Sequence, residues 1–328
     1  DQVTLTVKQT QDLEKAPLYK LPLKVDIYEN GKKKRYDITV DKSINTFTFP
    51  FKGKLDNVVF DAERVLLGSV DHDKSREMYV HQYYNAPLYK DREQALVYGS
   101  RLRSEKGKQL ILDALEDDFW YIRQLAIGKL KKVKRDKPEE VFTALENIVK
   151  NDNNSKVRGT AVKYLADEFF EGEKAEKTRE LLYHTIEKDS SYFAISRALN
   201  GLTNGTDEDV KEALSLAKDL EDERSSALTA QIIGIYKNHG SADKLDFMAN
   251  ALKKGKVSGY DAISAMSNFT AMLKEQDIKT QENYLPVLEA LGDGGSAYVQ
   301  AILPYNVMSL KREADSRVSS LESDIKKL

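Results

Sequence analysis

The chain has 328 residues, 41% of them hydrophobic and 32% charged, the balance of a water-facing globular protein with length for two or three cores. Its 51 basic and 53 acidic residues are mixed along the sequence, so neither a nucleic-acid-binding tract nor an acidic tail is expected. The absence of cysteine removes disulfides, thiolate metal sites and cysteine nucleophiles, and no apolar run approaches the roughly 20 residues of a membrane-spanning helix.

Residues 1–8 alternate apolar and polar from the second position, with Val3, Leu5 and Val7 on one face. A chain committed to a strand so early is expected to be a segment of a longer polypeptide. The next alternating run places Leu21, Leu23, Val25 and Ile27 on one face and Lys24, Asp26 and Tyr28 on the other. Pro22 near its start predicts an edge or first-residue position, because proline lacks the ladder N–H. Glu29-Asn30-Gly31-Lys32 is a two-residue hairpin signal, since Asn and Gly tolerate the positive φ such a turn demands. Lys32-Lys33-Lys34-Arg35 therefore reads as a solvated hairpin arm rather than a phosphate patch. Tyr36, Ile38 and Val40 return, followed by Thr46-Phe47-Thr48-Phe49 closed by Pro50, and by Asn57-Val58-Val59-Phe60. Five to seven short strands, each with one buried face, predict a small β-sandwich over residues 1–72.

From about Asp73 the period becomes helical. Residues 73–105 form a Tyr-rich connecting segment, with Tyr79, Tyr83, Tyr84, Tyr89 and Tyr98 placed either to join the flanking domains or to present a binding surface. A repeat then occupies residues 106–328. Its marker alanines stand at 126, 161, 198, 230 and 265, intervals of 35, 37, 32 and 35. Acidic or Asn-rich turns precede most copies: Asp117-Asp118, Asp152-Asn153-Asn154, Lys188-Asp189 and Asp222-Glu223. Each hairpin cannot bury its apolar stripe alone, so the pattern predicts an all-α superhelical solenoid resembling HEAT repeats, with small residues at helix contacts and Asp or Asn as caps. The segment from Ser309 onward is expected to close the stack with a polar face.

Catalytic patterns are absent from these residues. His72, His81, His184 and His239 have no His or Glu partner at zinc-site spacing. The stretch from Asp71 to Gln82 has Arg76 where a calcium loop needs Gly and Gln82 where it needs Glu, so it reads as a hydrophilic turn. No phosphate-binding Gly-rich loop or nucleophile elbow occurs, and residues 292–296 read as a loop between terminal helices. The sequons at Asn153, Asn204 and Asn268 carry little weight. Arg123, Arg158 and Arg197 recur at or near one repeat position. Such a row either binds peptide carboxylates along a concave wall or pairs with the acidic turn of the preceding repeat.

Residues 3–71 are similar to a specific module. Val3-Thr4-Leu5-Thr6-Val7 with Gln9-Thr10-Gln11, the Pro17-led second strand, Phe47-Thr48-Phe49-Pro50 and the run from Asp61 to Leu67 resemble the β-sandwich that follows the catalytic domain in zinc aminopeptidases of the aminopeptidase N type. In that family a helical, superhelical C-terminal domain comes next, as it does here. The family's H-E-x-x-H and G-x-M-E-N motifs have no counterpart in this sequence, so no catalytic or metal residue carries over. The resemblance implies a non-catalytic C-terminal region that supports the catalytic domain and gates peptide access to it. It places the zinc in that other domain and names the catalytic domain and peptide substrate as partners. The alternative is a freestanding protein-interaction scaffold using the concave wall of the solenoid.

Overall fold

A computed structural model describes residues 1–294 and 297–327. The chain divides into two compact units, Asp1–Val141 and Phe142–Leu328. The first holds five strands, β1 (Gln2–Lys8), β2 (Leu21–Glu29), β3 (Lys32–Val40), β4 (Ile44–Pro50) and β5 (Leu55–Phe60), in two antiparallel sheets ordered β1-β4 and β3-β2-β5. Asn30 (φ 48°) and Gly31 (φ 74°) make the expected β2–β3 turn and set Glu29 opposite Lys32. Pro22 begins the central strand at a level β5 does not reach, since that pairing starts at Val25, so its missing N–H breaks no ladder bond on that side.

The two sheets share one core. Leu23, Val25, Ile27, Ile38, Val40, Phe49, Val58 and Phe60 are buried together, with Val3, Leu5, Val7 and Phe47 packed against them. The other face of β2 departs from the expected single-sided burial. Asp26 is 2% exposed and Tyr28 4% exposed. The residue opposite Asp26 is Arg35, which grips it through two bonds of 2.7 and 2.9 Å, so the buried carboxylate keeps its partner. Tyr28 packs with Val59 and Ala62, and its ring meets His81 edge-on at 5.1 Å.

His81 belongs to α1 (Arg76–Asn85), which with α2 (Tyr89–Gly99) occupies the connecting segment. α3 (Glu105–Asp113), α4 (Trp120–Ile127) and α5 (Lys131–Lys134) follow, and the division between the units falls within α6 (Pro138–Asn151). The tyrosines bind these helices to one another. Tyr79 stacks on Tyr98 at 4.8 Å, Tyr83 and Tyr84 donate to Asp117 and Asp113, and Tyr89 packs on Phe119.

In the second unit come α7 (Ser155–Glu168), α8 (Ala175–Lys188), α9 (Tyr192–Leu202), α10 (Asp207–Asp219), α11 (Ser226–His239), α12 (Leu245–Lys253) and α13 (Gly259–Lys274). α14 (Ile278–Asn283), α15 (Leu285–Gly294) and α16 (Ala297–Lys327) complete it. The series α7, α9, α11, α13, α16 is the backbone of this unit, each member packing on the next, while α8 and α10 pack on α9 and α12 packs on α13. Ala161, Ala198 and Ala265 on this series are fully buried, as is Ala126 on α4. Ala230 is only partly buried, because Ile232 and Ile233 fill the contact layer of α11 instead. Gly292 to Gly294 end α15 as helix rather than loop, and Gly295, Ser296 and Leu328 lie outside the described residues. α16 starts well before the expected Ser309 and docks on α13 through Thr270–Asn306 and through Arg317 donating to the Gln276 carbonyl. Among the described residues, no helix is long and apolar enough to cross a membrane.

Two glycines mark a close approach between α7 and α9. A Cβ on Gly159 would sit 2.7 Å from the Phe193 ring and 3.2 Å from the Ala194 Cα, and one on Gly201 would meet the Ala166 Cβ at 2.8 Å. By contrast, a Cβ on Gly234 of α11 would find its nearest atom at 3.6 Å. Gly159→Ala should therefore destabilise the chain by about 1–3 kcal/mol through overpacking. Gly234→Ala should stabilise it by about 0.5–1 kcal/mol through helix propensity. Urea midpoints of the two variants, moving in opposite directions from the parent, check this.

Candidate functional site

The acidic turns repeat one local device. Asp117 Oδ1 accepts from the Phe119 amide at 2.9 Å, Asp152 Oδ1 from Asn154 at 2.8 Å and Asp189 Oδ1 from Ser191 at 2.8 Å. Each carboxylate thus ties the residue two positions on, which orients the chain into the helix that follows. Only Asn154 caps a helix in the expected way, accepting from the Lys156 amide at 3.0 Å. Six residues after the first two aspartates stands an arginine. Arg123 donates to the Asp117 carbonyl at 2.7 Å and Arg158 to the Asp152 carbonyl at 2.8 Å.

Arg158 also grips Asp189 bidentately at 2.7 and 2.8 Å. The pairing runs to the turn of the following repeat, not the preceding one, because the α7 side chain lies against the turn that opens α9. Burial alone would raise the Asp189 carboxyl. The Arg158 guanidinium and the Ser191 amide outweigh burial and hold the group below the usual carboxylate range. An equivalent staple in the first unit joins Arg92 to Asp117 at 2.7 and 3.1 Å. Arg179 of α8 likewise holds Asp209 of α10, and with the Thr206 capping box it pulls that carboxyl down to about 2. The helix after that breaks the arginine pattern, and Ser226 Oγ reaches Asp261 at 2.7 Å in its place.

Arg197 is different. Six residues after Asp189 the sequence has Ile195, so Arg197 lies off the staple position. Its guanidinium lies 5.2 Å from the centre of the Phe193 ring, and among the described residues no carboxylate pairs with it. Beside it on α9, Asn200 Oδ1 accepts from Gln231 Nε2 of α11 at 2.8 Å. The Gly234 backbone leaves room there for Asn268 of α13, whose Nδ2 is 3.6 Å from the glycine's Cβ position. Arg197, Asn200, Gln231 and Asn268 thus form a polar strip on the alternate helices α9, α11 and α13, half-buried and rich in groups that both donate and accept. Such a strip suits an extended peptide backbone and a carboxylate.

Other chemistry is sparse. Among the described residues, no group of three or more His, Asp or Glu could hold a metal ion. His72 is pushed down to about 4, first by burial and then by Lys74 and Arg64, and His81 is lowered by burial. Asn204 spends its amide on the Ala166 carbonyl. The buried polar cluster around Lys74 has no signature in the sequence, since its members (Asn57, Arg64, Gln82, Asp91, Gln94) are scattered over β5, the turn after it, α1 and α2.

No protein-family model matches the sequence, and no curated protein matches it. Among solved structures the chain is similar to Legionella pneumophila aminopeptidase A in complex with aspartic acid, at 11% identity and a TM-score of 0.42. The alignment covers 94% of this chain and 47% of that one, so the chain spans about half the length of that protein.

Arg158→Ala should cost about 2–4 kcal/mol, because it leaves the Asp189 carboxylate (5% exposed) buried without its partner. Arg197→Ala should stay within about 0.5 kcal/mol of the parent, since it breaks no ion pair. Equilibrium unfolding of the two variants measures the contrast.

Proposed function

We propose that this chain is a non-catalytic region of a zinc-dependent aminopeptidase of the aminopeptidase N type. Its β part supports a catalytic domain, and its helices form a HEAT-like α-solenoid that gates peptide access to that domain's active site. The zinc belongs to the catalytic domain in this reading. The observation that carries the proposal is the work done by the residues of the sequence resemblance. Gln9 bonds both backbone groups of Tyr19, donating to the carbonyl at 2.8 Å and accepting from the amide at 3.0 Å, while Gln11 donates to Gln9 and to the Pro17 carbonyl. At the other end of the module Asp61, with φ 49°, accepts from the Val65 and Leu66 amides. Gln9, Gln11 and Asp61 of the motif thus fix the passage from β1 to β2 and the exit from β5, a structural role that supports the resemblance.

Within the helical part the polar strip is where a peptide would lie, with Arg197 placed for a carboxylate. Arg158 acts as a structural staple, and Arg123 is anchored to its own turn. The same strip supports the second reading, a protein-interaction scaffold with no peptidase partner.

The purified chain should contain no stoichiometric zinc and should not hydrolyse aminoacyl p-nitroanilides. Metal analysis and a chromogenic assay test this directly, and zinc together with turnover would overturn the proposal. The reading frame that encodes residues ahead of Asp1 separates the two readings: an H-E-x-x-H about a domain length upstream supports the peptidase, and a frame without one supports the scaffold.

A further inference from the structure

We propose that Lys74 and the polar residues around it form a pH-sensitive latch that clamps the α1–α2 hairpin onto β5. Lys74 lies just before α1. Its Nζ donates to Asn57 Oδ1 at 2.9 Å and to the Val58 carbonyl at 3.2 Å, both on β5, and to Gln82 Oε1 on α1. The Tyr79 ring covers it, with the centroid 4.6 Å away. All three ammonium donors thus have acceptors, and none of those acceptors carries a charge.

Gln82, 1% exposed, passes the connection onward. Its Nε2 donates to the Asp91 carbonyl at 2.9 Å and to Gln94 Oε1 at 3.1 Å, both on α2. Arg64, held at φ 54°, reaches the same two residues from the turn after β5, at 2.7 Å each. The cluster therefore contains two cations, Lys74 and Arg64, and one buried carboxylate, Asp91, which Arg64 already holds. The other titratable groups facing Lys74 are His72, Tyr79, Tyr98 through its stack on Tyr79, and His81 on α1. Asp71 and Asp73 are exposed to solvent and leave the imbalance uncorrected.

An excess buried cation makes the latch depend on proton concentration. Protonated, Lys74 satisfies every acceptor but carries, largely out of water, a charge that Asp91, already held by Arg64, offsets only in part. Neutral, it sheds the charge and one of its three bonds. Burial, reinforced by Arg64, pushes the amine from its ordinary value down to about 7. An unfolded lysine titrates near 10.4, so between about pH 7 and pH 10 the unfolded chain holds a proton that the folded chain has released. Stability therefore rises with pH across that window, and the clamp weakens as pH falls toward 7. His72, lowered to about 4, adds a dependence of the same sign between about pH 4 and 6.5, which is separable because the windows do not overlap.

Thermal unfolding of the full chain at intervals from pH 6.5 to 9.5, compared with Lys74→Met, tests the latch. The parent Tm should climb by roughly 5 °C or more relative to the variant across this range. Parallel curves would overturn the proposal. Should Lys74→Met not fold, the parent labelled with 13C at lysine Cε supplies the same answer by NMR. One resonance, identified by its loss in Lys74→Arg, should titrate about two units or more below the others; lysine midpoints that all lie above 10 would overturn it.

Discussion

The second unit depends on how closely the helices of the α7, α9, α11, α13 series approach. A two-helix hairpin has more apolar stripe than it can cover by itself, so each of α7, α9, α11 and α13 must finish its burial on a neighbour. Gly159 beneath the Phe193 ring and Gly201 against Ala166 let α7 and α9 come together without a side chain between them. Fully buried Leu165, Leu199, Ile232 and Phe269 then fill the layer, each contributing about 1.5–3 kcal/mol. Exposed ion pairs contribute about 0–1 kcal/mol, so packing carries the stability of the stack. The buried Arg158–Asp189 and Arg179–Asp209 pairs do something else: they fix which turn faces which, and removing one partner costs far more than forming the pair gains.

The first unit answers a different constraint. Its central strand β2 is covered on both faces, by the shared sheet core on one side and on the other by polar and aromatic contacts that run into α1. A buried charged residue must bring its own partner, and Asp26 does so with the Arg35 directly across the ladder. The Lys74 cluster solves the same problem less completely, with satisfied hydrogen bonds and an unbalanced charge. That difference makes the first pair a fixed support and the second a group that responds to pH.

Much of the architecture was legible from local pattern. Asn30-Gly31 specified its turn because few residues tolerate two successive positive φ values. The alternation of β1 and β2 specified strands, and four of the five marker alanines proved fully buried. What escaped was non-local. Asp26 and Tyr28 look solvent-facing in an alternating strand, yet Asp26 is buried with Arg35 across the ladder and Tyr28 beneath His81 and Asn85, more than fifty positions later. Spacing grouped Arg123, Arg158 and Arg197, yet a two-residue offset takes Arg197 off the staple and leaves its guanidinium on Phe193. The direction of the Arg158 pairing and the Lys74 cluster depend on which turn and which strand lie alongside, and no periodicity encodes that.

The close approach of α7 and α9 is tested most directly by moving the two atoms that define it. Gly159→Ala is measured by urea unfolding in the parent and again in a Phe193→Leu background, where the ring is gone. If that contact sets the helix separation, the cost of the added methyl should fall by about 1 kcal/mol or more in the second background, since touching residues couple on that scale. An equal cost in both backgrounds would mean that the helices are not in contact there, and would contradict the account.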